Sequence, residues 1–462
     1  MMRNYLNSDT IVALSSAHGK GAISIVRMSG KEVFAIMQKV FFRYAKNSAF
    51  DRVQVGLIKD GENIIDEVVC VFFMGPRSFT GEDTVEISAH GNPIIVKNIL
   101  ELLVKNGACL ALPGEFSYRA FINGKKDLTQ VEAVCSLIAG KTETAVKVAL
   151  NNISGGFSEK IKAAKQSLTH FLAYLEASMD YPDGDIPFLT QEQKVEEICA
   201  LVDESQKLID TYRVSNILQS GVNAVIVGKP NVGKSSLLNA ILGKNRAIVT
   251  DIAGTTTDSI ETLIDCRGVP MTLIDTAGLN IFSEKPIDNF GQQKTREAMS
   301  GADILIWVLD ASKKIDGFDL QVWDEIKNRK FTGEIFVVLN KIDLPQVIQA
   351  EDILKLLPAA KIIKLSAKGT QGIANLLDEM ARTLGVLENA NEALMINARH
   401  WELLTKSQSA LNRAKELIIS NGGDELASFE LRTALANFEE ILGINTPHDI
   451  LDEIFSTFCV GK

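Results

Sequence analysis

The stretch GKPNVGKSS at 228–236 fits the pattern G-x-x-x-x-G-K-[ST], follows a β-branched run and opens a helical one. Glycine-rich backbone curls so that successive N–H groups face one anion, and the terminal lysine and hydroxyl add a cation and a Mg2+ ligand. Lys234 is placed to reach β- and γ-phosphate oxygens, and Ser235 to bind Mg2+. This pattern alone leaves the base open. NKID at 340–343 settles it. Asp343 can accept two hydrogen bonds from guanine's N1–H and exocyclic amine, a donor pair that adenine lacks, and a carboxylate left unpaired makes the wrong base costly. SAK at 366–368 would complete the guanine pocket. DTAG at 275–278 puts Asp275 on Mg2+ through water and the Gly278 N–H on the γ-phosphate. GTTTD at 254–258 offers Thr256 as a second Mg2+ ligand. The motifs stand in the order used by GTP-hydrolysing enzymes. Candidate GTP contacts are Asn231, Val232, Gly233, Lys234, Ser235 and Ser236 in the loop, and Thr250, Asp251, Ile252, Ala253, Gly254, Thr255 and Thr256 before the second strand. Asp275, Thr276, Ala277 and Gly278 follow, then Asn340, Lys341, Asp343, Ser366, Ala367 and Lys368 around the base.

Hydrolysis needs something to offset charge developing on the γ-phosphate. Ras-like enzymes place a glutamine after the DxxG glycine and borrow an arginine. Here that position is Leu279, which cannot orient water. Asn231 offers another route: its amide oxygen can ligate a monovalent cation beside the phosphates. The carbonyls of Thr250 and Ile252 and the Thr255 hydroxyl would complete the shell. A K+ ion would then stand where the arginine charge acts. The alternative is that Asn231 only stabilises its loop.

The elements that must position these groups read as several domains, because 462 residues exceed one ordinary core. An apolar fraction of 46% and a charged fraction of 23% suit a soluble globular chain. Net charge is −10 and the pI about 5.3, so a broadly basic nucleic-acid surface is excluded and any RNA contact must be local or supplied by a partner. The N-terminus MMRNYLNSDTIVAL has no signal-peptide core, and apolar runs such as ILIWVL at 304–309 are strand-length, so no membrane association is expected. Six cysteines (70, 109, 135, 199, 266, 459) form no C-x-x-C pair, which points to reduced thiols in a cytoplasmic setting. Up to about residue 120 the chain is β-rich, with AISIVRMSG, EVVCVFFMG and DTVEISAHG ending at glycine. DLTQVEAVCSLIAG then turns helical, with Thr129 and Glu132 at capping-box spacing. Apolar residues recur at helical intervals from Phe157 to Met179, before DYPDGDIP breaks the pattern. From about 220 to 377 the strands NAVIVG, MTLID, ILIWVLD and IFVVLN alternate with helices, an α/β unit with a mainly parallel sheet. Helical stripes return at Leu403–Ile418 and Leu431–Leu442. The expected fold class is multidomain α/β and α, with a Ras-like P-loop GTPase domain inserted into a split helical domain.

Across essentially its whole length the chain resembles the MnmE (TrmE) family of tRNA-modification GTPases. SFTGEDTVEISAHG, PGEFSYRAFINGKKDLTQVEA, GKPNVGKSSLLNAI, AIVTDIAGTTTD, LIDTAGL and the terminal CVGK occur in the family's order. The PGEF block and the C-x-G-K ending are the more specific. The resemblance implies a β-rich, folate-binding and dimerising domain over 1–120, a helical domain split between 121–217 and 378–462, and a G domain over 218–377. It implies a homodimer that joins the flavoprotein MnmG in a heterotetramer, which adds a carboxymethylaminomethyl-type group to C5 of the tRNA wobble uridine. The carbon comes from a tetrahydrofolate derivative (5-formyl or methylene), FAD sits on the partner, and K+ promotes the meeting of two G domains. Folate-site residues carry over to Arg27, Glu86, Lys125 and Lys462. A carboxylate such as Glu86 suits the pterin's donor pair, and Arg27 or Lys125 suits the glutamate tail. Read without the resemblance, these are ordinary solvated charges. The tail would bring Cys459 near the one-carbon chemistry, where a thiolate is a nucleophile if its pKa is lowered; the other reading packs Cys459 with Phe455 and Phe458.

Two positions depart from the family pattern. Thr257 stands where arginine usually follows the paired threonines. Asp288 stands where a glutamate indirectly positions the attacking water, with Glu284 a weaker candidate and a solvated carboxylate the plain reading of both. Competing functions are a ribosome-assembly-type GTPase switch, although no KH-like G-x-x-G loop with basic flanks is present, and a folate-binding protein whose GTPase is only regulatory.

Overall fold

Alternation in the β-branched runs builds a mixed sheet with one face packed and one face open. A computed structural model of the chain describes residues 5, 9–43, 53–180, 189–244, 260–275, 299–328, 331–386 and 393–462. They form two compact units, Met1–Cys135 with Ser158–Leu201 and Lys406–Lys462, and Ser136–Phe157 with Val202–Thr405. In the first unit the strands are β1 (Ile11–Leu14), β2 (Ile23–Ser29), β3 (Phe41–Arg43), β4 (Val53–Asp60), β5 (Asn63–Phe73), β6 (Thr84–His90) and β7 (Cys109–Leu110). Their order is β3-β4-β5-β6-β2-β1-β7, and all pairs are antiparallel except β1 with β7. Helices α1 (Val33–Val40) and α2 (Pro93–Lys105) close one face, where Met28, Cys70 and Ile87 pack with Ile36, Met37, Ile99 and Leu103. Residues of opposite parity, Arg27 and Glu86 among them, face the other way. Helices α3 (Glu115–Ile122) and α4 (Leu128–Ala139) follow.

The start of α4 differs from the expected box. Asp127 Oδ1 accepts from Gln130 N at 3.1 Å, and Gln130 Oε1 accepts from Asp127 N at 3.1 Å. The reciprocal cap is therefore Asp127/Gln130, two residues before Thr129/Glu132. Thr129 lies inside the helix and gives its hydroxyl to Asp127 Oδ1 at 2.8 Å. A carboxylate competes better than a hydroxyl for amide donors at the positive end of a helix. In the helix Gly156–Asp180 the expected stripe is buried through Leu175, whereas Met179 is exposed.

The second unit holds helix α5 (Glu143–Ile153) and a six-stranded sheet of β8 (Val222–Val227), β9 (Ile260–Cys266), β10 (Val269–Asp275), β11 (Ile304–Asp310), β12 (Glu334–Asn340) and β13 (Lys361–Lys364). The order is β13-β12-β11-β8-β10-β9, parallel throughout except β9 against β10. Both faces are covered, so the strands are continuously apolar, and every residue of β11 is buried. Helix α6 (Lys234–Lys244) follows β8 and packs Leu237 and Ile241 on one face. Helix α7 (Gly317–Asn328) packs Val322 and Ile326 on the other. The antiparallel edge strand β9 was not legible as such. It depends on a tight turn in which Arg267 and Gly268 take φ of 55° and 91°, the primed type that suits hairpin twist. Among the described residues no helix is long and apolar enough to cross a membrane.

Candidate active site

The carboxyl ends of β8, β10, β11 and β12 deliver the phosphate loop, Asp275, Asp310 and Asn340 to one edge of the sheet, where ligands bind in open parallel α/β folds. Gly233 has φ +102°, and a Cβ there would lie 2.3 Å from Asn340 Nδ2. Glycine therefore admits the Asn340 amide, which donates to Val232 O at 2.8 Å. Asn340 Oδ1 in turn accepts from Lys341 N at 2.8 Å and Ala367 N at 3.0 Å. One buried asparagine thus joins the glycine-rich loop at Val232 to the segment at Ala367. Lys341 makes a second tie, donating to Asn231 O at 2.9 Å and pairing with Asp310 Oδ2 at 2.7 Å. Burial opposes the charge on Asp310, but the Lys341 ammonium and the Ser312 hydroxyl and amide outweigh it, so its carboxyl titrates below the usual range. Asp310 and Ser312 lie outside the motifs; an acidic residue closing an apolar strand at the ligand edge was the available signal. Asn231 and Lys341 hold φ of 64° and 67°, a conformation rare outside glycine and commoner at functional turns.

At the rim, the Ser366 hydroxyl donates to Asp343 Oδ1 at 2.6 Å and, with local backbone amide bonding, keeps that carboxyl below its ordinary range. Lys368 carries a positive charge on the same side. Lys234 donates to Gly228 O at 2.8 Å and Lys229 O at 3.0 Å. Burial draws its ammonium below the ordinary lysine range, and Asp275 offsets part of that. The Ser235 hydroxyl donates to Asp275 Oδ2 at 3.2 Å, so the two groups expected to share a Mg2+ shell are neighbours and their donor set fits a hard cation. The remaining expected contacts, Thr250 to Thr256, Thr257, Thr276 to Gly278, Leu279, Glu284 and Asp288, lie outside the described residues.

A second constellation occupies the first unit. Arg27 and Glu86 are paired across β2 and β6, with Arg27 Nε and Nη2 donating to Glu86 Oε1 at 2.9 and 2.8 Å. The guanidinium carbon lies 5.3 Å from the centre of the Phe79 ring and 5.7 Å from that of Phe116. Both donors use one oxygen, so Oε2 is not engaged by the guanidinium. Lys125 instead donates to Pro76 O at 2.9 Å. The tail folds back on the same unit: Gly114 N donates to Cys459 O at 3.2 Å and the Ser15 hydroxyl to Gly461 O at 3.0 Å. Lys462 is half-buried, and its N–H turns back to Cys459 O at 3.4 Å. Gly461 has φ +93°, and a Cβ there would meet Leu14 O at 2.2 Å. Phe455 and Phe458 are buried with Tyr118 and Leu128, while Cys459 is exposed. Partly buried Cys135 packs on that cluster; burial pushes its thiol to about 12, with Cys459 and Glu132 adding to the rise and Lys462 opposing it.

Residues 128–459 match the family described as the MnmE helical domain, and residues 10–125 match the GTP-binding protein TrmE N-terminus. The tRNA modification GTPase MnmE of Endomicrobium trichonymphae is 50% identical over 459 residues, covering 99% of this chain and 100% of that protein. The chain belongs to the MnmE family. The MnmE of Aquifex aeolicus is 41% identical over 457 residues, 98% of this chain and 100% of that one. The G domain of the T. maritima FeoB iron transporter aligns at 24% identity with a TM-score of 0.28, over 35% of this chain and 97% of that one. In this MnmE family member the PGEF and SFTGED blocks meet physically. Buried Arg119 bonds Glu115 Oε1 at 3.0 Å and Glu82 Oε2 at 2.9 Å, and the Ser29 hydroxyl donates to Glu82 Oε2 at 2.8 Å. The network fixes the loop that carries Phe79 and the helix that carries Phe116, and so the walls around Arg27.

Proposed function

We propose that this chain is a GTP hydrolase that, with the FAD-carrying flavoprotein MnmG, installs a carboxymethylaminomethyl-type group on C5 of the tRNA wobble uridine in the cytoplasm. The observation that carries this reading is end-to-end similarity to tRNA modification GTPases, at 50% identity over 459 residues for one of them. In the GTP cycle, Lys234 would leave the carbonyls of Gly228 and Lys229 for phosphate oxygens, and the loop N–H groups would take the β-phosphate. Asp343 would read guanine, with Ser366 holding the carboxylate in place. Ser235 and Thr256 would hold Mg2+, which supplies charge neutralisation between the phosphates. Asn231, with Thr250, Ile252 and Thr255, would hold K+, which supplies positive charge in place of an arginine. Asp288 is assigned to positioning water.

The one-carbon unit is assigned to a tetrahydrofolate derivative at Arg27, Glu86, Lys125 and Lys462, with Cys459 available to the chemistry. The Arg27–Glu86 geometry favours division of labour: Arg27, walled by rings, orients Glu86, whose Oε2 accepts from the pterin. The same unit supports homodimerisation. On the open face of its sheet Phe42, Val53, Val55 and Val69 are exposed, whereas a solvated antiparallel face is normally polar. A second copy of this face would cover them, and MnmG would complete a heterotetramer. The helical domain is taken as split around the G domain.

Mass spectrometry of tRNA nucleosides from a strain lacking the gene tests the assignment. The C5-modified wobble uridine should vanish, return with the full chain, and not return with a chain stopped after Phe458. Unchanged nucleosides would remove the modification reading and leave an assembly switch in first place. For the ion, hydrolysis in KCl should exceed that in NaCl by tenfold or more at matched ionic strength, an order-of-magnitude expectation from the arginine it replaces. Asn231→Ala should abolish the difference; equal rates in wild type would sink the K+ assignment.

A further inference from the structure

Lys229 is the second residue of the phosphate loop, at a position the loop motif leaves open. Its side chain is nearly buried, and Nζ lies 2.6 Å from Asp316 Oδ2 and 2.7 Å from Asp319 Oδ2. Those carboxylates already cap α7 reciprocally. Asp316 Oδ1 accepts from Phe318 N at 3.0 Å and Asp319 N at 3.2 Å, while Asp319 Oδ2 accepts from Asp316 N at 3.2 Å. Two acids at one helix start need a cation between them, and Lys229 supplies it. The Asp319 side chain is 2% exposed and its Oδ1 has no hydrogen-bond partner among the described residues, where its charge is held by Oδ2 contacts. The carbonyl of Lys229 meanwhile accepts from Lys234 at 3.0 Å. The same residue is bound to α7 through its side chain and to the phosphate-seeking lysine through its backbone. Asn340 and Lys341 brace the far shoulder of the loop at Val232 O and Asn231 O.

We propose that Lys229, clamped by Asp316 and Asp319, is a positioning residue that fixes the near shoulder of the phosphate loop before nucleotide arrives. This rests on the GTPase reading above and deepens it. The clamp is built entirely from this chain's own groups, so its effect is to lower the ordering cost of binding. GDP and GTP both place a β-phosphate in the loop, so both gain equally. Bound substrate and transition state also gain equally, so KM changes and kcat does not.

Removing one partner leaves a buried charge, which destabilises by itself. The test therefore compares full-length wild type with Lys229→Met, Lys229→Arg and the triple variant Lys229→Met/Asp316→Asn/Asp319→Asn. Tm, the Kd of fluorescent GDP and GTP analogues, and steady-state kcat and KM are measured. Lys229→Met should raise Kd for both nucleotides and KM by about tenfold, the cost of ordering one more segment, with kcat within about twofold. Lys229→Arg should retain most of the affinity. The triple variant should recover Tm but keep the weakened affinity. Recovery of both Tm and affinity in the triple variant, or a fall in kcat at unchanged KM in Lys229→Met, would overturn the proposal by making the clamp purely structural. Failure of wild type itself to bind either analogue would instead overturn the GTPase reading.

Discussion

The proposed function assigns base choice to one carboxylate, Asp343. Ser366 bonds Asp343 Oδ1 at 2.6 Å, a contact that an amide oxygen can keep. Asp343→Asn therefore preserves the pocket's shape while replacing one acceptor with a donor. Guanine's exocyclic amine would then face an N–H, whereas the 2-oxo group of xanthine would face a partner. Expected turnover of GTP falls by at least about 100-fold, since unpaired polar groups discriminate strongly, and turnover of xanthosine triphosphate appears. Phosphate release measured with both nucleotides checks this; an unchanged preference would mean that Asp343 does not read the base. Asn340, Lys341 and Asp343 were legible because the chemistry lies in the residue types at fixed spacing. Lys229 and Asp319 were not, because they meet across 90 residues and each alone is an ordinary surface charge. Arg27 and Glu86 became a pair only once the register of β2 and β6 was known.

Elements were legible where period and punctuation agree. The four strands read in the α/β region are present, because parallel strands covered on both faces need unbroken apolar runs. The edge strand β9 was missed because IETLIDC carries no mark of direction; a two-residue turn decides it. That turn is also held from outside. Thr142 caps α5 by accepting from Ala145 N at 3.2 Å, and its hydroxyl donates to Gly268 O at 2.8 Å. A Cβ on Gly268 would lie 2.2 Å from Thr144 Oγ1, so the contact is close-packed. One hydroxyl thus serves a helix end and a hairpin tip. Thr142→Ala should cost about 1–2 kcal/mol, the upper range for a lost cap, and Thr142→Ser should cost much less. Urea denaturation of the full chain measures both; equal losses in the two variants would show that the methyl, and not the hydroxyl, matters.

At the scale of the whole molecule, charge and surface make opposite demands. A chain of net charge −10 has no general attraction for tRNA, so any basic contacts are local or come from a partner. The open sheet face presents a different need. Along β4 the buried residues Gln54, Gly56 and Ile58 alternate with Val53, at 60% exposed, and Val55, at 48%. This is the parity of a strand covered on one side, except that its uncovered side is also apolar. Full burial of a valine gains about 1.5–3 kcal/mol, and Val53 and Val55 are 60% and 48% exposed, so the proposed meeting of two copies on this face would gain part of that at each. Val53→Glu combined with Val55→Lys places charge at the centre of the patch while leaving the packed face untouched. The mass from light scattering should fall from twice 50.5 kDa to 50.5 kDa, with the circular dichroism spectrum unchanged. A variant that stays dimeric would move the interface elsewhere. A monomer that keeps full GTP hydrolysis would show that this face is not needed for turnover.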